Sequence, residues 1–376
     1  MAFAQNPLPV WPDDGGASPS PSPREERRRE LFLATAAVVL LLFFVGAFEG
    51  MLRLLHVRAE DGALGPLHVY SEVYGWEPRK GFRMVEEGRI TTINARGYRG
   101  RELPAQKNGR TRIVVLGDSV GFGLDVGDDQ TFAHVLDARA DVEVANLSVQ
   151  GYDPGQELIK LEREALALQP DVVVLAVCLS NDFADVALPV FLYDGAHPKP
   201  FFLIEESRLV EYSEQLRLSL RQSVSLLLRE HSRLYGLIAA RRAEEAPRAS
   251  KLEHWTERKE RAINDPAGVI DLAARLVGRM AEDCRRAGVA FVVLAFPDKP
   301  TFRGDKSWLD GLTAALSERD VSLIDMAQRF QAKQLLFSDL ATDNIGHLNA
   351  KGHEAAAEIL QEVLAERGLV PLGPRG

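Results

Sequence analysis

The chain has 376 residues, of which 46% are hydrophobic, enough to fill the core of one large domain or two small ones. Its formal net charge of -9 leaves no bulk basic surface for a phosphate backbone, which argues against nucleic acid as a partner. The two cysteines, Cys178 and Cys284, lack CxxC or Cys/His spacing, so they read as buried thiols and suggest no metal site.

Residues 1–23 are rich in Pro, Ser and Gly and end in SPSPSPR. Such a segment cannot bury enough apolar surface to order itself, and a disordered cytoplasmic tail is expected over 1–30. REERRRE is followed by LFLATAAVVLLLFFVGAF, an uncharged run over residues 31–48 that reaches the length needed to cross the hydrocarbon core, so a transmembrane helix is expected over 31–52. Arg24, Arg27, Arg28 and Arg29 precede the run and few cations follow it. The positive-inside rule then gives a single-pass inner-membrane protein with its N-terminus in the cytoplasm and the rest of the chain on the periplasmic or extracellular side. A cleaved signal peptide fits less well with the long polar tail, the length of the run and the missing A-x-A-like site. A buried globular helix fits less well because amphipathic periodicity is absent.

Residues 53–110, with VYGWEPRKG and TTINARGYRGRE, read as a linker and entry segment of extended stretches and turns. A strand and helix rhythm then defines a domain over 111–370. RIVVLG, VEVANL, DVVVLAVCL, VAFVVLAFP and VSLIDM are short β-branched runs suited to strands buried on both faces. Helical spacing separates them: DQTFAHVLDARA, QELIKLEREALALQ with its charges grouped away from the Leu stripe, AGVIDLAARLVGRMAEDCRRAG, KSWLDGLTAALSER and the closing AKGHEAAAEILQEVLAERG. The alternation predicts a three-layer α/β fold with five parallel strands, interrupted by an insertion at about 183–265 lying over the sheet edge.

Ligands of open parallel sheets bind beyond the carboxyl ends of the strands. There the chain places Ser119 in GDSVGFG, Gly151 in NLSVQGYD, Asn181 in SND, and a late TDNIGHLNAKGH with two histidines. A serine needs a base to take its proton and donors for the oxyanion, which Ser119 N–H, Gly151 N–H and the Asn181 amide could supply. Taken singly, GDS is an ordinary turn, Gly151 a backbone accommodation and SND a helix N-cap. Together they fall at strand ends of one sheet.

These blocks resemble those of the SGNH or GDSL hydrolases over about Ile113 to Leu360, in VVLGDSVGFG, NLSVQGY, LSND and GHLNAKGH, with INARGYRGRE and YGWEP similar to the lead-in of membrane-anchored bacterial members. The resemblance implies a flavodoxin-like α/β/α sheet and serine ester hydrolysis or acyl transfer without metal or cofactor. It also implies an oxyanion hole from Ser119, Gly151 and Asn181, and His347 rather than His353 as the base. Two positions depart from the family pattern: Leu179 stands where many members have glycine, and Asn344 stands where many have the catalytic aspartate. Asp343, one residue further back, is expected to serve instead, because a carboxylate stabilises imidazolium better than an amide.

His353 is expected to be structural or at the rim, and His134 to be an ordinary helix histidine. His68, His197, His231 and His254 sit in exposed-looking segments without metal spacing. Asp118 is expected to anchor the turn, and Tyr152 and Asp182 to flank the site without catalytic roles. The expected activity is that of an exported, membrane-anchored esterase or acyl hydrolase acting on an ester, such as an O-acetyl group, of an envelope glycan or lipid. The alternatives are a polysaccharide O-acetyltransferase using the same triad and a non-catalytic binding module in envelope assembly.

Overall fold

The computed structural model describes residues 22–57, 65–107, 109–138, 142–191, 197–245 and 265–370. The chain divides into two compact units, Met1–Ala59 with Leu226–Arg242, and Glu60–Ser225 with Ala243–Gly376.

The first unit is built on helix α1 (Pro23–Leu54). Ser22 and Glu25 form a capping box, and Pro23 occupies the first helical turn, where its missing N–H costs nothing. The helix therefore starts before the arginine cluster, and Pro23–Glu30 is helical where a disordered tail was expected; residues 1–21 of that tail lie outside the described residues. At 1.5 Å per residue α1 is about 48 Å long. It is, among the described residues, the one helix long and apolar enough to cross a membrane, and none of its apolar stretch is buried.

The second unit opens with two antiparallel hairpins, β1 (His68–Ser71) with β2 (Gly75–Pro78) and β3 (Arg83–Glu86) with β4 (Arg89–Thr92). Then come β5 (Thr111–Gly117), helices α2 (Ser119–Phe122) and α3 (Phe132–Asp137), β6 (Val142–Asn146), α4 (Pro154–Lys160), β7 (Val172–Cys178) and α5 (Asp182–Val186). The insertion carries the hairpin of β8 (Phe201–Glu205) and β9 (Arg208–Tyr212), then α6 (Leu220–His231) and α7 (Arg233–Glu245), of which Leu226–Arg242 belongs to the first unit. The last strands are β10 (Ala290–Phe296) and β11 (Leu323–Asp325).

Five strands form one parallel sheet in the order β11-β10-β7-β5-β6. With β5 counted as the first, this is the flavodoxin-like order 2-1-3-4-5, as expected, and the direction of winding switches between β5 and β7. Alternating side chains serve two cores. Val114, Leu116, Val173, Leu175, Val293 and Ala295 meet α4 and the helices Pro266–Arg286 and Ser307–Ser317. Ile113, Val115, Val172, Val174, Val292 and Leu294 meet α3 and the helices Met326–Ala332 and Ala350–Glu366. Each such side chain contributes about 1.5–3 kcal/mol relative to exposure.

The entry segment is part of the domain rather than a linker. Tyr74, Trp76, Ile93 and Tyr98 are buried, and so is His68, whose segment reads as exposed. Gln156 Nε2 donates to Tyr74 O at 2.7 Å, and the Lys160 ammonium lies 4.8 Å from the centre of the Tyr74 ring. This cover explains why Gln156 and Lys160 are buried although the helical pattern turns them outward; Glu157 is buried as well, near Asp118. The insertion also departs from expectation. Phe202 of β8 packs on α4, where a Cβ added to Gly155 would lie 2.9 Å from its ring, so the hairpin rests on the helical layer instead of the sheet edge. Residues 192–196 and 246–264, with His254, lie outside the described residues.

His353 opens the last helix, Ala350–Glu366, and is fully buried. It stacks on Phe132 at 5.9 Å, and its Nδ1 accepts the Phe132 N–H at 3.2 Å, so that nitrogen carries no proton. Burial, reinforced by the Arg99 charge, pushes its pKa from 6.5 to about 3. Below pH 6.5 the unfolded chain therefore binds a proton that the folded chain refuses, and stability falls as pH falls. Compared with His353→Gln, the native protein should lose about 2 kcal/mol of urea-unfolding stability between pH 7 and pH 5. A constant gap between the two proteins over that range would mean that His353 titrates normally in the fold.

Candidate active site

The blocks of Ser119, Asn181 and His347 meet beyond the carboxyl ends of β5 and β7, at the switch point of the sheet, and the Gly151 block, which follows β6, is tied to the end of β5 by Val149 N–H to Gly117 O at 2.9 Å. Gly117 ends β5, where a Cβ would lie 2.8 Å from Ala176 O, and the chain turns directly into α2 with Asp118 as its N-cap. Asp118 Oδ1 accepts Val120 N–H at 2.9 Å, which anchors the turn as expected. Ser119 is the first residue of α2, where helix geometry supplies no acceptor for its N–H.

Ser119 Oγ lies 2.8 Å from His347 Nε2, and His347 Nδ1 lies 2.6 Å from Asp343 Oδ2. Asp343 Oδ1 accepts the backbone N–H groups of Ile345, Gly346 and His347 at 3.0, 2.9 and 3.2 Å. Burial alone would raise the Asp343 carboxyl, but hydrogen bonds from Gly346 N–H and the His347 ring outweigh it and hold its pKa below the usual range. Asn344 faces the other way: its Oδ1 accepts from Lys299 Nζ at 2.9 Å. His353 is at the core stack described above, away from this chain of contacts.

Asn181 occupies the N-cap position of α5 but makes no side-chain cap. Its Nδ2 instead reaches Asp118 Oδ2 and Asp185 Oδ2, each at 3.3 Å, and Ser119 Oγ lies 3.2 Å from the same Asp118 oxygen. One fully buried carboxyl thus joins the serine and the asparagine. Burial raises the Asp118 pKa. Gly151 has φ +72, and a Cβ there would lie 2.2 Å from the Phe191 ring, so glycine is required for both conformation and space. The hydroxyl of Tyr152 donates to Trp76 O at 2.7 Å, which commits it to the interior, and Asp182 Oδ2 accepts Cys178 N–H at 2.7 Å, buried beside Asp118.

Four contributors escaped the sequence reading. Asp125 comes within 4.8 Å of the facing atoms of Asp343 and His347 and accepts from the Thr342 hydroxyl. Arg99 lies buried behind α2, donating to Phe122 O at 2.9 Å and Val126 O at 2.6 Å with its guanidinium 4.5 Å from the Phe122 ring centre. Lys199, from the insertion, is fully buried, pairs with Asp153 at the start of α4 and donates to Asp185 O at 2.9 Å. Glu157 is buried close to Asp118, and burial and that neighbour raise its pKa. A lone Lys, Arg, Asp or Glu in a polar segment gives no local signal of burial.

No family model and no curated protein matches the chain. Among solved structures, a member of the lipolytic protein G-D-S-L family from Veillonella parvula is 14% identical, with 68% of this chain and 98% of that one covered at a TM-score of 0.37. A lipase/acylhydrolase from Enterococcus faecalis is 12% identical, with 71% and 99% covered and a TM-score of 0.38. A catalytic mutant of an acetylxylan esterase from Geobacillus stearothermophilus is 13% identical, with 72% and 100% covered and a TM-score of 0.39. At these identities and TM-scores the assignment is left to the chain's own geometry.

Burial drives the Lys199 pKa down, and the contact with Asp153 is what favours its charged form. Lys199→Met should strand the Asp153 carboxylate and cost about 3–5 kcal/mol in urea unfolding, part of it recovered by adding Asp153→Asn, which removes the charge and keeps the cap on Gln156 N–H. A loss below about 1 kcal/mol would show that the pair is not ionised.

Proposed function

We propose that the chain is a serine ester hydrolase in which Ser119 is the nucleophile, His347 the general base and Asp343 the acid that orients it. The observation that carries this reading is the continuous line from Ser119 Oγ to His347 Nε2 at 2.8 Å and from His347 Nδ1 to Asp343 Oδ2 at 2.6 Å. Ser119 Oγ attacks an ester carbonyl while Nε2 takes its proton, and the ionised Asp343 stabilises the imidazolium that forms. His347 then returns the proton to the departing alcohol, and water repeats the cycle on the acyl-serine.

The oxyanion would receive Ser119 N–H, Gly151 N–H and Asn181 Nδ2–H. The Asn181 contacts to Asp118 and Asp185 are long, at 3.3 Å each, and a full oxyanion is the stronger acceptor for one of its two N–H bonds. The raised pKa of Asp118 favours its protonated form, which does not compete for the serine proton and leaves it to His347. The Asp343 side chain is 37% exposed, so water reaches the edge of the triad, which favours hydrolysis over transfer to a second acceptor. The apolar α1 supports an anchored protein with the catalytic domain outside the inner membrane, and that location supports an ester of an envelope glycan or lipid as substrate.

The full chain in detergent should hydrolyse p-nitrophenyl acetate and be labelled by a fluorophosphonate, and Ser119→Ala should abolish both. Equal labelling of the two proteins would remove Ser119 as nucleophile, and labelling of neither would favour a binding module. Asp343→Asn should lower kcat by about 10³–10⁴ with the fold intact. Asn344→Ala should change it by less than about threefold, because its amide holds Lys299 rather than the ring; the reverse ranking would transfer the role to Asn344.

A further inference from the structure

Helix α6 is amphipathic, and among the described residues nothing covers its apolar stripe. Leu220, Val224, Leu227 and Leu228 recur at helical spacing on one face and are 82%, 46%, 55% and 41% exposed. Arg229 lies on the side opposite the stripe, Arg221, seven residues before Leu228, borders it, and α6 has no buried residue. A contiguous apolar stripe of this kind marks an interaction surface.

What covers it follows from how α6 ends. Arg53 of α1 donates to His231 O, the last carbonyl of α6. Glu49 of α1 accepts from Ser232 Oγ at 3.0 Å and from the first N–H groups of α7, Arg233 at 2.9 Å and Leu234 at 3.0 Å. The Glu49 carboxylate therefore serves as an external cap for α7 and complements its dipole. Glu49 and Arg53 also pair with each other at 2.8 Å. Glu49 directly follows Phe48, the last residue of the apolar run, and each residue adds about 1.5 Å along the axis. The junction of α6 and α7 is thus fixed at the depth where the run leaves the hydrocarbon.

We infer that the end of α6 that belongs to the first unit lies in the membrane interface, with Leu227 and Leu228 against phospholipid acyl chains and Arg229 at headgroup phosphates. The inference rests on the reading of α1 as a membrane anchor. A basic polar face opposite a leucine face is the composition that binds a bilayer surface, and the occupant is continuous with the lipid around α1. A protein partner would not need the stripe to begin at the membrane exit.

The test uses the full chain in vesicles of three parts phosphatidylcholine to one part phosphatidylglycerol. Cys178 and Cys284 are buried, so a single cysteine at Val39→Cys, Leu227→Cys or Arg229→Cys can carry an environment-sensitive nitrobenzoxadiazole label. Nitroxide-bearing lipid should quench the label at 39 strongly, and the label at 227 at least about threefold more than the label at 229. Quenching at 39 with equal values at 227 and 229 would overturn the placement of α6 alone. No quenching at 39 would overturn the anchor and this inference with it.

Discussion

The site depends on one carboxylate that folds a loop with one oxygen and orients a histidine with the other. Asp343 Oδ1 gathers three successive N–H groups, which bends Ile345–His347 around it and leaves Oδ2 facing the ring at 2.6 Å. Thr342 N–H to His347 O at 2.8 Å closes the loop from outside, and Asn349 N–H to Leu340 O at 2.8 Å fixes its base. Gly346 sits at φ +107 with a virtual Cβ 2.5 Å from Pro297 O, so the loop presses on the end of β10 where a side chain has no room. A carboxylate four residues before the histidine, rather than three, reaches the ring because the loop is wound on that carboxylate.

Ser119 has no comparable loop, and buried charge lies behind its helix. Arg99 delivers its guanidinium to the carbonyls at the end of α2, while Lys199 ties the insertion to Asp153 and Asp185. Buried ions are poor sources of net stability, because desolvation consumes most of the Coulomb gain. Their value here is geometric. A guanidinium with several fixed donors admits one arrangement of the carbonyls it serves, and those carbonyls are at the end of α2 and in the segment just after it, so the helix that begins with Ser119 is held at its far end.

The layers and four site blocks were legible because each is a local signal. A β-branched run such as VVVLAV has one comfortable state, and the residues just past it are at the sheet's carboxyl edge in any parallel fold. The expectation that Asp343 rather than Asn344 meets the ring came from charge, and it is Asp343 Oδ2 that lies 2.6 Å from His347 Nδ1 while Asn344 holds Lys299. What was hidden depends on segments distant in sequence. QELIK reads as an outward-facing polar stripe until Tyr74 and its hairpin cover it, and β8 reads as a surface insertion until Phe202 is seen against Gly155. The N-cap reading of SND failed in an instructive way: Asn181 has the position of a cap and spends its amide elsewhere.

That amide raises the question of why an oxyanion should form above so many carboxyls. Asp118, Glu157 and Asp182 lie close enough that each perturbs another, and Asp185 joins them through Asn181. Ionised together, they would repel the developing negative charge and undo what the donors supply. Burial opposes that state, since a carboxylate without water is costly and a second one nearby costs more, and all three pKa values are raised. A protonated Asp118 also presents a donor to its surroundings, while an ionised one would hold Asn181 and draw the Ser119 proton away from His347. Under the proposed chemistry, the dryness of the floor beneath the serine makes an acidic sequence compatible with an anionic transition state.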